Sequence, residues 1–173
     1  REDNAVVMLA RAVTTLAAHT WPVRLTPTMS ALLDRVGATR GRDLRAIDLH
    51  ADGGLPELLD ELGPLAPVVN RSFQPSTVPT MLDAGYKVNV IPERAQACID
   101  VRTLPGDEQP MPAEIDRLLG PGMTRTFTAH EPALESSTAT AFYPAICHPL
   151  TDIDPRAVPV PFITGGGTDA KAL

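Results

Sequence analysis

The sequence predicts an α+β fold, organised as a ferredoxin-like βαββαβ unit that lacks its first strand. Three observations carry this prediction. Apolar residues recur at helical spacing from Val6 to Leu16. Period-two alternation runs on both sides of Ile91-Pro92-Glu93-Arg94. A short helix and a further apolar run follow, so the order reads helix, strand, strand, helix, strand. The absent strand is expected immediately before Arg1.

The first helix is capped by Asp3 or Asn4, whose side chains can accept a backbone N–H. Val6, Leu9, Val13 and Leu16 form one face, and the helix fades near Ala18, ahead of Trp21-Pro22. Residues 20–70 read as a helical insertion. Met29 to Leu33 is a short helical candidate, with Leu32, Leu33 and Val36 on one side. Asp43 to His50 is ambiguous. Leu55 to Leu62 is a clearer helix, with Pro56 near its start and Gly63-Pro64 as a stop.

The hairpin follows. Tyr86, Val88 and Val90 alternate with Lys87, Asn89 and Ile91 in its first strand. Ala95, Ala97, Ile99 and Val101 alternate with Gln96, Cys98, Asp100 and Arg102 in its second. One face is expected on helices and the other toward solvent or a site. Pro105-Gly106-Asp107-Glu108 makes a turn, Ala113 to Leu119 a helix, and Met123 to Ala129 a further strand. Beyond Glu131 the pattern changes. Val158 to Ile163 reads as an extended, buried approach to Gly165-Gly166-Gly167-Thr168-Asp169.

Composition bounds the function. The 173 residues suit one domain, or one small domain plus part of a second. A 43% apolar and 21% charged composition can build a core. The net charge of −6 and the 4% aromatic content lack the basic and stacking signature of a nucleic-acid partner. No apolar run approaches the roughly 20 residues of a membrane span, so no membrane partner is expected. Cys98 and Cys147 are too few for a disulfide framework, which points to a reducing, cytoplasmic compartment. Arg1 in place of Met, and an end at Leu173 just after a motif-like run, lead us to expect a piece of a longer protein.

Gly85-Tyr86-Lys87-Val88-Asn89-Val90-Ile91-Pro92 and Asp100-Val101-Arg102-Thr103-Leu104-Pro105-Gly106 together resemble the lid of metallopeptidase family 20. That family contains aminoacylase, carboxypeptidase G, acetylornithine deacetylase and succinyl-diaminopimelate desuccinylase. Val160-Pro161 and Gly166-Gly167-Thr168-Asp169-Ala170 resemble its catalytic-domain motif, in the right order. The segment from Arg1 to Ala5 resembles the stretch after the lid's histidine motif. The resemblance spans nearly the whole chain, with residues 20–70 and 131–157 contributing least.

It implies a lid/dimerisation domain over residues 1–130 and a partial return into an α/β zinc-peptidase catalytic domain over 131–173. It further implies a zinc-dependent amide hydrolase, a peptidase or N-acyl amino acid deacylase, in which two zinc ions activate the attacking water. Its substrate would be an N-acyl amino acid or small peptide, and it would form a homodimer through the lid. Matched to the family motifs, Asn89 reaches a substrate, often across the dimer, and Arg102 holds the substrate carboxylate in a bidentate clamp. Gly167 and Thr168 line the same pocket. The family's metal ligands, general base and oxyanion histidine all fall outside the chain by this alignment. The chain itself is therefore expected to bind no metal and to contribute no catalytic residue.

Plainer readings stand beside these. Asn89 can cap a turn, and Arg102 can pair with Asp100 or Glu108. His50-Ala51-Asp52 has the spacing of a zinc motif but lies in the insertion, without the convergent ligands that a dinuclear site needs. His19, His130 and the Cys147-His148 pair likewise lack a third ligand. Both cysteines are expected as small core residues, Cys98 provided that its face of the sheet is covered. A stand-alone ferredoxin-like dimerisation or small-molecule-binding module without catalysis is the alternative function.

Overall fold

A computed structural model of the protein describes residues 4–167. Two compact units divide the chain. The first joins the residues up to Trp21 with Pro75–Ala133, and the second joins Pro22–Gln74 with the residues from Leu134 onward.

The first unit begins with α1 (Ala5–Ala18), capped by the Asn4 side chain, which accepts from the amides of Val6 at 3.0 Å and Val7 at 3.4 Å. The other expected cap, Asp3, lies outside the described residues. Leu9, Ala12 and Leu16 are the buried stripe of this helix. An antiparallel hairpin follows, made of β1 (Ser76–Ala84) and β2 (Ala95–Arg102). Then comes α5 (Pro110–Leu119), which has Pro110 at its first turn and Gly120 at its end. Helix α1 contacts both strands and α5. Leu16, Trp21, Met111 and Ile115 form the buried core here, with Ile99 and Val101 packed against it.

Two expectations fail in this unit. The first strand is Ser76–Ala84, not Tyr86–Ile91. Its start is anchored by Thr77, whose buried hydroxyl accepts from the Trp21 indole N–H at 3.1 Å and donates to the Leu16 carbonyl at 3.1 Å. Its end is set by Gly85, whose φ of 78° turns the chain out of the ladder after the Ala84–Ala95 pair. Residues 85–94 are thus the connection between the strands, and the alternation of Tyr86, Val88 and Val90 belongs to an exposed loop. The further strand expected over Met123–Ala129 does not form. That segment is tied to α5 instead, because Arg125 donates two parallel hydrogen bonds to Asp116, each 2.8 Å, and lies 4.5 Å over the Phe127 ring. Among the described residues the sheet has two strands.

The second unit is helical. It contains α2 (Pro27–Arg40), α3 (Gly54–Leu62), the single turn α4 (Ala66–Val69) and α6 (Phe142–Ile153). Helix α2 is longer than its apolar pattern suggests, because its ends are well specified. Thr26 caps it by accepting from the Met29 amide, Pro27 opens it, and Gly41 closes it in the left-handed conformation. The Glu135 carboxylate also accepts from the Thr28 amide at 2.6 Å, where the positive end of the helix dipole favours a negative charge. Met29, Leu32, Leu33, Leu58, Leu62 and Phe73 lie at the centre of the core. Val160 and Ile163 pack against them, while Val158 and Phe162 are each 48% exposed, so the expected buried approach is only half buried. Helix α6 was not expected, since Pro144 and Pro149 interrupt its pattern. It has no buried residue and exposes Phe142, Ile146, Leu150 and Ile153 along one side.

Thr77→Val keeps the shape of the residue and removes the hydroxyl on which Trp21 and Leu16 converge. It should cost about 1–3 kcal/mol in urea denaturation. Trp21 is the only tryptophan, so its fluorescence reports the change directly. A loss within error would show that the bridge does not hold the strand. The Arg125 hydrogen bonds hold the Asp116 carboxyl below its ordinary value of 3.8. A carboxylate with a depressed pKa contributes stability that is present above its ordinary value and lost as pH falls through the folded one. In Arg125→Met, the Asp116 titration followed by NMR should move back up toward 3.8.

Candidate functional site

The faces of the hairpin follow from its register. Ile99 and Val101 face the helices, so Cys98, Asp100 and Arg102 project from the opposite, open face. Across the strands, Ser76 is opposite Arg102, Val78 opposite Asp100 and Met81 opposite Cys98. A bulge between Pro79 and Met81 adjusts the pairing. The open face thus carries the exposed side chains of Val78, Met81 and Cys98 beside one ion pair. In that pair the Arg102 Nε donates to Asp100 Oδ2 at 2.8 Å, and both side chains are about half exposed. Cys98 is exposed, since nothing covers this face among the described residues and the condition for its place in a core is not met.

The strand bearing Arg102 ends in a well-determined turn. Leu104-Pro105-Gly106-Asp107 closes with the Asp107 amide on the Leu104 carbonyl at 3.0 Å, and Gly106 supplies a φ of 91°. Proline followed by glycine at these two positions is what a type II turn requires. The buried Asp107 carboxylate accepts from the Leu104 amide at 2.8 Å, and the Asp107 carbonyl accepts from Met111 at the start of α5. The position of Arg102 is therefore held from both sides.

Asn89 lies in the connecting loop, where Tyr86 and Val88 are almost fully exposed. The loop joins the start of β2, and Arg102 sits at the other end of that strand. Along the strand that is roughly 23 Å. Among the described residues no hydrogen bond joins Asn89 to Arg102. Gly167 is exposed and belongs to the second unit. Thr168, and with it Asp169, lies outside the described residues.

Among the described residues, no three His, Cys, Asp or Glu side chains converge as a metal site would need. His50 is exposed and its amide donates to Asp48 Oδ1 at 2.9 Å. His19 stacks edge-on against Trp21 and lies 3.9 Å from Glu114. His130 packs against Phe127. Cys147 and His148 line a groove of 260 Å³ in the second unit, with Arg35 and Tyr143. Sequence reasoning had no signal for this groove, because Arg35 and α6 are far apart in the chain. Burial pushes the Tyr143 phenol up, the neighbouring Cys147 side chain adds to the shift, and among the described residues no group meets its buried hydroxyl at hydrogen-bond geometry.

A search of protein families matches residues 1–112 to the peptidase dimerisation domain. The chain belongs to this family. It carries the lid/dimerisation domain of metallopeptidase family 20. No curated protein and no solved structure gives a match. In this peptidase dimerisation domain the matched residues contain α1, the whole hairpin and the start of α5. Asn89 and Arg102 fall within the match, and Gly167 and Thr168 fall beyond it.

A buried hydroxyl without a partner costs stability, so Tyr143→Phe should leave the fold intact and raise its stability by about 1 kcal/mol. Thermal denaturation tests this, and a clear loss would show that the hydroxyl is hydrogen-bonded in solution.

Proposed function

We propose that this chain is the ferredoxin-like lid, with part of the returning catalytic domain, of a zinc-dependent amide hydrolase that acts next to a carboxylate-bearing residue. The observation that carries this reading is the family match over the hairpin, together with the place of its two motif residues at opposite ends of that hairpin. Arg102 offers a guanidinium on an open face, suited to a carboxylate. Asn89, on a loop that leaves its apolar neighbours in solvent, is suited to a substrate held by a second protomer. The two residues lie at opposite ends of a hairpin whose second strand spans roughly 23 Å, which suits a grip from two protomers on one small substrate. A division of labour across a homodimer is the reading that this placement and the dimerisation-domain match support.

The described residues do not assemble a zinc site, and the two zinc ions belong in this reading to the parent enzyme. Bound there, they would supply an activated water. What this chain contributes is grip and position. Arg102 binds the substrate carboxylate, Asn89 reaches across, and Gly167 and Thr168 line the pocket from the catalytic side. A zinc-free, inactive lid is the expected behaviour of the chain alone. Peptides and N-acyl amino acids both satisfy the carboxylate requirement. The acidic net charge and the two cysteines, too few for a disulfide framework, fit a cytoplasmic enzyme.

The exposed Tyr86, Val88, Met81 and Leu82 give the hairpin an apolar surface of the kind that marks protein association. The purified chain should elute as a dimer, with a mass twice its 18.5 kDa by light scattering. Tyr86→Asp combined with Val88→Asp should convert it to a monomer without changing its circular dichroism. A monomeric wild-type chain would overturn the dimer and, with it, the role given to Asn89.

A further inference from the structure

We infer that Asp100 is a positioning residue for Arg102, and that the pair is a carboxylate clamp whose orientation is set by one hydrogen bond. This rests on the assignment of Arg102 to the substrate carboxylate. A guanidinium has two edges that can bind a carboxylate in bidentate fashion. One is formed by Nε and one terminal nitrogen, the other by the two terminal nitrogens. In the structure it is Nε, not a terminal nitrogen, that donates to Asp100 Oδ2, at 2.8 Å. That choice occupies the side edge and leaves the end edge for a ligand. Neither terminal nitrogen of Arg102 has a partner among the described residues.

The strand geometry makes the contact possible. Asp100 and Arg102 are two residues apart on β2, so both project from the open face. The ladder holds them opposite Val78 and Ser76, and the Leu104–Asp107 turn follows at once. Arginine otherwise samples many rotamers in solvent, and ordering it on binding costs affinity. A side chain already tied at Nε loses less. An exposed ion pair contributes little to stability, so its use is better sought in orientation. The surface pairing of Arg102 and its grip on substrate are then two parts of one arrangement, not competing readings.

The two physical effects of Asp100 have opposite signs, which makes the inference testable. As a negative charge beside the clamp, Asp100 repels a carboxylate, so removing it should tighten binding. As a hydrogen-bond acceptor that orients the guanidinium, its removal should weaken binding. Asn keeps the acceptor and drops the charge, whereas Ala drops both.

The experiment is an NMR titration of the full chain with N-acetyl-L-leucine, and with N-acetyl-L-leucinamide as a probe lacking the carboxylate. The Arg102 Nε–Hε resonance is followed together with the backbone amides. The acid should bind the wild-type chain and the amide should not, and Arg102→Met should abolish binding. Asp100→Ala should weaken binding on the order of tenfold. In that variant the Arg102 Hε signal should be lost to exchange, while the unfolding midpoint stays put. Asp100→Asn should stay close to wild type.

Binding that survives in Arg102→Met, or is absent from the wild type, would overturn the assignment of Arg102 and this inference with it. Loss in Arg102→Met with equal or tighter binding in Asp100→Ala would overturn the role of Asp100 alone. Equal loss in Asp100→Ala and Asp100→Asn would also overturn it, because the acceptor oxygen that Asn retains would then not be what positions the guanidinium.

Discussion

The hydroxyl of Thr77 is where the lid unit is tied together. It receives the Trp21 indole N–H and donates to the Leu16 carbonyl, so one side chain at the start of β1 is fixed to the end of α1 and to the segment that leaves it. Side chains on a strand alternate between faces, and a slip of one residue would exchange the faces entirely. Burying Thr77 on the helix side therefore settles the faces of Val78 and Pro79, up to the bulge that resets the alternation before Met81. Through the ladder it also settles the face of every residue in β2. Val101, paired with Thr77, goes inward to the core, and Asp100 and Arg102 go outward.

From that constraint the open face of the hairpin follows. The open face has no helix on it among the described residues, so its side chains are available. The turn at Leu104-Pro105-Gly106-Asp107 stops the strand directly after Arg102 and hands the chain to α5. Inside that turn the buried Asp107 carboxylate accepts from the Leu104 amide, and the Asp107 backbone carbonyl accepts from the Met111 amide at the start of α5. Rigid backbone on either side is what allows a long, exposed arginine to serve as a positioned group.

Much of this was legible in the sequence. The first helix, the helix ending at Gly63, the helix ending at Gly120 and the second strand all sit close to their expected bounds, because local caps and periodicity agree with the tertiary packing. The α+β class and the peptidase-family lid were also readable, the latter from two short motifs in a fixed order. The first strand was misplaced. Tyr86, Val88 and Val90 alternate as a strand would, but their apolar side chains lie in solvent, and alternation alone does not report what covers a residue. The real strand contains Pro79 and a bulge, both of which blur its period. Helix α6 was hidden by its prolines, and the length of α2 by polar residues in its second half.

The sequence by itself determined that a hairpin carrying Asp100 and Arg102 exists and that it belongs to a peptidase lid. Residue identity at fixed spacing is a local property, and motifs record it. It also named the two pairing options of Arg102, without a way to choose between them. Only the tertiary structure decided which residues form the partner strand, that Asn89 lies on a loop at the far end from Arg102, and that Nε is the nitrogen given to Asp100. The partner strand depends on contacts between residues distant in the chain, and the Asp100–Arg102 bond, though local, depends on both side chains standing on the open face of the sheet that forms. A hydroxyl at Thr77 meeting an indole at Trp21 is a contact between residues 56 positions apart, and no local pattern encodes it.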